Sequence, residues 1–384
     1  MFNFKKSKAI LAAAALLGGM MIMGNGGEVS AATNIQASAM KNSSIDKNFG
    51  KDTRVFQIDK SIQVKKVHFQ NRYGVMVTGD MYLPKNFNAN KKYAAIVVSG
   101  AFGAVKEQHS GLYAQEMAKN GFVAVAFDPS FTGESGGNVR NVASPDIFTE
   151  DFSAALDFVG LLPYVDKDRL GIIGICGLSG PAITASINDV RVKAVAVSAM
   201  YDMVDSIRNH YQGDYYTPEQ REAVKKYLAE MRWEEAKLGH SVPGYHEVPL
   251  DENGNAVKPA NGKLFPEVLP AGADPVTTEF FNYYCKRAFH SRSINSNGAW
   301  SSTTPYGFFN FPFDTHVEEL SPRPIMLITG DKAHSRYHSE NLYAQAKGPK
   351  ELVVVPGATH TDLYDNMSKI PFDKLVAYFN KYLK

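Results

Sequence analysis

Short, uninterrupted apolar runs recur along the chain: "AAIVVSG" (94–100), "FVAVAFD" (122–128), "LGIIGI" (170–175), "KAVAVSA" (193–199), "PIMLITG" (324–330) and "ELVVVPG" (351–357). Continuous hydrophobic segments of this length, rich in β-branched residues, are the pattern of strands covered on both faces. Between them lie amphipathic stretches with helical spacing, such as "SGLYAQEMAKNG", "DIFTEDFSAALDFVGLL", the segment after Gly180, "SENLYAQAKG" and "PFDKLVAYFNKYL". The alternation predicts an α/β architecture, a mostly parallel sheet with helices on both faces. An antiparallel hairpin opens it, because "SIQVKKVHFQ" and "YGVMVTGDMYLP" alternate partially and are joined by the turn "NRYG".

The rhythm breaks once. More than 120 residues separate "KAVAVSA" from "PIMLITG", where a simple crossover needs a few dozen. This interval holds a charged helical stretch, "TPEQREAVKKYLAEMRWEEAKLG", a Pro/Gly-rich run and the aromatic "TTEFFNYYCKRAF". It lacks the apolar pattern for a large core of its own, so it predicts a helical cap inserted at about 203–318 into one domain spanning 59–384.

The amino terminus differs in kind. Lys5, Lys6 and Lys8 precede an apolar run that ends in the small residues Ser30, Ala31 and Ala32. This predicts a signal peptide over 1–32, a flexible linker over 33–58, and a secreted or periplasmic protein with no membrane anchor in the mature form. The net charge of +2, with no basic stripe interleaved with aromatics, excludes nucleic acid as an expected partner. The chain contains two cysteines, so in an oxidising compartment a disulfide between Cys176 and Cys285 is one reading. Nothing in the sequence speaks to oligomeric state.

In open sheets of this class, ligands sit beyond the carboxyl ends of the strands. "GIIGICGLSG" places Cys176 directly after an apolar run, with Gly174 two residues before it, Gly177 after it, and Gly180 and Pro181 entering a helix. A strand, a tight turn and a helix amino terminus are what a presented nucleophile requires. Ser179 is the alternative nucleophile, in a poorer register; a turn without chemistry is the third reading. His360, in "ATHTDLYD" after the last apolar run, is the candidate base. Asp331, after "PIMLITG", is the candidate acid to orient it, with Asp202 and the more distant Glu340 as alternatives. Amides of Gly177 and of Phe102 or Ala101, in the turn "SGAFGAVKEQ", are candidate oxyanion donors. "HSRYH" lacks the glutamate of a zinc-protease helix, so no metal is expected at His334 and His338.

Together "GAFGAVKEQHSGLYAQEMAKNGFVAVAFDPSFTGESGG", "DRLGIIGICGLSG", "SPRPIMLITGDKAHSRYHSE" and "VPGATHTDLYD" resemble the dienelactone-hydrolase-like branch of the α/β-hydrolase superfamily, over roughly residues 60–384. The resemblance implies the α/β-hydrolase fold and cofactor-free cleavage of a carboxylic ester or related acyl bond in a small-molecule substrate. Its known cysteine nucleophile agrees with Cys176. "DPSFTGESGG" also resembles a turn of cocaine esterases and X-prolyl dipeptidyl peptidases, which keeps amide hydrolysis in view. Acyl transfer to another acceptor on the same fold, and a binding protein without catalysis, are compatible with the same residues.

Overall fold

The computed structural model describes residues 43–210, 216–313 and 315–384. The expected signal peptide, 1–32, lies outside them. Nine strands form one sheet: β1 (Ser43–Ile45), β2 (Gln63–Gln70), β3 (Met76–Leu83), β4 (Tyr93–Gly100), β5 (Val123–Phe127), β6 (Val165–Ile175), β7 (Val192–Ser198), β8 (Ile325–Gly330) and β9 (Lys350–Val355). Their order is β1-β2-β3-β5-β4-β6-β7-β8-β9. The pairings from β5 through β9 are parallel, while β1, β2 and β3 join as antiparallel strands. The apolar runs of the sequence are these strands, and β4, β5, β8 and the end of β6 are buried along nearly their whole length.

Helices cover both faces. On one, α1 (His109–Lys119) and the carboxyl-terminal helix Phe372–Tyr382 meet through Tyr113 and Phe372, whose ring centroids are 5.0 Å apart. On the other lie α2 (Pro145–Gly160), which begins with Pro145 behind its cap Ser144, and α3 (Ser179–Asn188). Phe152 of α2 meets Phe127 of β5 edge-on at 5.0 Å. This is a mostly parallel α/β sheet of the α/β-hydrolase type, with the antiparallel hairpin expected at 61–84.

The flexible linker expected over 33–58 is corrected for its described part. Residues 43–45 add a strand to the sheet edge, and the amide of Val55 donates to Glu107 O at 3.0 Å. The side chain of Arg54 is 4% exposed and reaches Asp80 at 3.4 Å. A buried guanidinium with a buried partner ties this segment down.

The excursion between β7 and β8 carries α4 (Met203–Asn209) and α5 (Pro218–Leu238). Thr217 and Gln220 close α5 with a reciprocal capping box, and Gly239 ends it in the left-handed conformation. After a turn-rich run, α6 (Pro275–Phe281) leads into the wider π turn Asn282–Arg287. This excursion reaches back over the strand ends: the amide of Ile294 and the hydroxyl of Ser293 both donate to Gly103 O, at 2.9 Å each.

Candidate active site

Cys176 follows the last residue of β6, at the middle of the sheet, with φ of +53°. A non-glycine residue held there carries a local cost of about 1–3 kcal/mol, which the surrounding packing must sustain. Three close approaches explain the small residues around it. A Cβ on Gly174 would sit 2.6 Å from Ala182 Cβ; one on Gly177 would meet Met203 Sδ at 2.7 Å and Phe102 Cβ at 2.8 Å; one on Gly180 would press on the ring of Phe313 at 3.0 Å. Leu178 therefore stands where a G-x-S-x-G turn has its second glycine because the tight contacts fall at 177 and 180 instead. The carbonyl of Cys176 accepts the amide of Tyr201 at 3.2 Å.

The thiol is buried, and burial pushes it up to about 11. The amides of Gly177 and Phe102 and the hydroxyl of Tyr364 act in the opposite direction, favouring the thiolate. Two backbone donors thus converge on the sulfur from the β6 turn and from the loop after β4. That loop is held hard. Asn295 donates to Phe102 O at 2.7 Å, and Phe102 packs on Trp300 with ring centroids 4.3 Å apart.

Beneath the loop lies a buried charge cluster. Lys106, 0% exposed, binds Glu107 at 2.8 Å, Asp128 at 3.1 Å and Glu134 at 2.6 Å. Asp128 also accepts the amides of Lys106 at 2.7 Å and Glu134 at 2.8 Å. The "DPSFTGESGG" stretch thereby clamps the turn that supplies the Phe102 amide.

His360 follows β9 and is completely buried. Its Nε2 lies 2.9 Å from the Tyr364 hydroxyl, and its Nδ1 lies 2.6 Å from Ser335 Oγ. Burial holds its pKa well below the usual imidazole value, with His334, His338 and His109 adding in the same direction. A chain of contacts therefore runs from Cys176 through Tyr364 and His360 to Ser335. His109 stacks on Tyr364 at 4.4 Å, and Tyr283 meets its edge at 4.9 Å, so the phenol has little room to swing.

The orienting acid expected from the sequence is corrected here. Asp331 does follow β8, but its carboxylate is exposed and accepts the amide of Gly357 at 2.7 Å. It stabilises the turn after β9 and makes no hydrogen bond to His360. Asp202 caps α4 through the amides of Val204 at 2.9 Å and Asp205 at 3.1 Å, and burial pushes it up to about 6. Glu340 is half-exposed and pairs with Arg336 at 2.7 Å. Among the described residues no carboxylate is hydrogen-bonded to His360.

Ser179 is fully buried in the first turn of α3, away from the cavity. Ala101 accepts the amide of Ala104 at 3.1 Å, and Phe102 supplies the donor at the sulfur. Cys176 and Cys285 are both free thiols. Among the described residues no group of three or more His, Cys, Asp or Glu is arranged to hold a metal ion. His334 and His338 instead pack on Tyr201 at 5.7 and 5.2 Å.

A cavity of about 560 Å³ opens on Cys176, Phe102, Tyr284 and Tyr364. The excursion after β7 supplies most of its wall, with Met203, Leu264, Phe265, Leu269, Val276 and Phe280 making it largely apolar. Glu247 is a carboxyl on this wall whose charge bears on Cys176; its side chain is 15% exposed and lies beside the Tyr201 phenol. Sequence reasoning missed Tyr364, Ser335, Glu247 and Asn295. Tyr364 had a readable signal, since it stands four residues after His360 on a helical turn; Ser335 lies inside "HSRYH", read there only for its histidines, and Glu247 and Asn295 lie in segments without a motif.

No family model matches the chain. It is 48% identical over 331 residues to the uncharacterized protein PA2218 of Pseudomonas aeruginosa, covering 86% of this chain and 84% of that one. The crystal structure of PA2218 superimposes with a TM-score of 0.79, covering 89% of this chain and 100% of the other. The uncharacterized protein YcjY of Escherichia coli is 30% identical over 309 residues, 79% of this chain and 94% of YcjY. Thiohydrolase aneE of Aspergillus aculeatus is 26% identical over 301 residues, 78% and 86% of the two chains. The α/β-hydrolase GrgF from Penicillium sp. sh18 shares the fold at a TM-score of 0.65 with 19% identity, covering 84% of this chain and 99% of GrgF.

Proposed function

The chain belongs to the family of PA2218 and YcjY, built on the α/β-hydrolase fold, and from that premise we propose that it hydrolyses acyl compounds, esters or thioesters of an apolar acyl group, through a covalent intermediate on Cys176. The observation that carries this reading is the convergence of the Phe102 and Gly177 amides on a thiol held at positive φ at the mouth of an apolar cavity. Those donors are aimed where a carbonyl oxygen gains charge as sulfur attacks its carbon, and such donors are worth about 3–4 kcal/mol each when removed.

In the first half-reaction the thiol proton passes to the Tyr364 oxygen while the Tyr364 proton passes to Nε2 of His360. Sulfur bonds to the acyl carbon, and the leaving group departs with the proton returned along the same path. Ser335 receives the Nδ1 hydrogen bond in the position where triad enzymes have a carboxylate. The imidazolium is thus stabilised by a neutral partner, which suits a weakly basic leaving group such as a thiolate. The name of the relative aneE, a thiohydrolase, supports the thioester end of this range. Export as a secreted or periplasmic enzyme is part of the same proposal and is motivated by the leader-like sequence at 1–32.

A panel of N-acetylcysteamine thioesters and p-nitrophenyl esters tests this. Cys176→Ala is expected to lose activity by at least about 10³-fold, while Ser179→Ala keeps it within a few-fold. Retained activity in Cys176→Ala removes the reading. Product analysis with added alcohols or amines separates hydrolysis from acyl transfer.

A further inference from the structure

We propose that Glu247 is the general base of the second half-reaction, receiving the proton of the water or other hydroxyl acceptor that attacks the Cys176 acyl-thioester. The inference rests on the nucleophile assigned above and extends it to the acceptor side. Its starting point is a difference in access. His360 is completely buried and forms no part of the cavity wall, and its Nε2 is taken up by Tyr364. An acceptor enters from the cavity, where Glu247 is part of the wall with Cys176.

The position of the carboxyl is set by the backbone that sets the sulfur. The amide of Tyr201 donates to the carbonyl of Cys176 at 3.2 Å, and the phenol of the same residue lies beside Glu247. Tyr201 therefore anchors the nucleophile's backbone at one end and borders the carboxyl at the other. His246 Nε2 lies 3.9 Å from Glu247 Oε1, and its ring is pinned against Phe102 at 5.3 Å and Trp300 at 6.4 Å. Burial pushes Glu247 up to about 7 and His246 down to about 4. A base matched to neutral pH is the more effective one, which favours the carboxyl over the neighbouring imidazole.

The step balances without any further reagent. The acceptor oxygen bonds to the acyl carbon as its proton passes to the Glu247 carboxylate. The tetrahedral intermediate collapses, the C–S bond breaks and the thiolate leaves. The proton on Glu247 then returns to sulfur, restoring carboxylate and thiol.

Glu247→Gln, with Glu247→Asp as a second variant that keeps a shorter carboxylate, separates this role from a structural one. With p-nitrophenyl hexanoate, Glu247→Gln is expected to give a full acylation burst of about one equivalent, with steady turnover slowed about 10²-fold. Intact mass then shows the hexanoyl adduct at a higher steady-state level than in the wild type. Hydroxylamine, which attacks thioesters without a base, restores turnover in the variant, and Glu247→Asp recovers part of the loss. Unchanged turnover in Glu247→Gln, or burst and turnover falling together, overturns the assignment while leaving Cys176 in place. A burst that survives Cys176→Ala overturns the nucleophile, and the Glu247 role with it.

Discussion

A thiol that burial pushes up to about 11 is protonated in the resting enzyme at neutral pH. As the proposed nucleophile, Cys176 therefore differs from cysteines that rest as thiolates beside an imidazolium. Its proton must leave as the carbon–sulfur bond forms, and the Tyr364 hydroxyl, 2.9 Å from His360 Nε2, is the group positioned to take it. In a Cys285→Ser background, the rate of alkylation by iodoacetamide should rise about tenfold per pH unit from pH 7 to 10, without a plateau. Tyr364→Phe removes a donor that favours the thiolate, so the titration should move further up. It also breaks the path to His360, so kcat/KM should fall about 10²-fold. A plateau below pH 8, or full activity in the Phe variant, contradicts this account.

The loop between β4 and α1 is a different kind of device, in which the chemistry-bearing amide of Phe102 depends on charges it never touches. Lys106 pairs with Asp128, Glu107 and Glu134, while Arg292 and Lys66 also reach Glu107 and Glu134, and Lys106→Met would leave the fully buried Asp128 without its cationic partner. Breaking a pair of this kind costs about 3–5 kcal/mol. Urea unfolding of the variant should show a loss of that size, accompanied by lower kcat; a loss under about 1 kcal/mol contradicts the clamp.

The strands themselves were legible because burial on both faces writes itself as uninterrupted apolar runs, and α5 because "TPEQREAVKKYLAEMRWEEAKLG" is a long charged run without a helix breaker between its first turn and its closing glycine. The turn at Cys176 and the loops carrying Phe102 and His360 were legible for the same reason, since each directly follows a buried strand. What the sequence could not convey is side-chain direction. Asp331 stands at the right strand end, but its carboxylate turns to the amide of Gly357, while Ser335, four residues on, faces the imidazole. Glu247 and Asn295 come from the long excursion after β7, where no periodicity fixes position. Segment 43–58 read as a linker because its few apolar residues dock on an existing edge and build no core of their own.

Across the whole molecule, the sheet carries Cys176, Gly177, Phe102 and His360 at the ends of its parallel strands, and the excursion 199–324 supplies most of the apolar cavity wall and Glu247. The two parts meet at Asn295 on Phe102 and Ser293 on Gly103, so the cavity and the oxyanion donors are mechanically joined. The whole mechanism passes through an acyl group on one sulfur. Rapid quenching during turnover of a hexanoyl thioester, followed by peptide mapping with fragment-ion localisation, measures that directly. The expected result is a hexanoyl mass on Cys176 that hydroxylamine removes; an adduct on Ser179, or turnover with no adduct on Cys176 at any quench time, contradicts it.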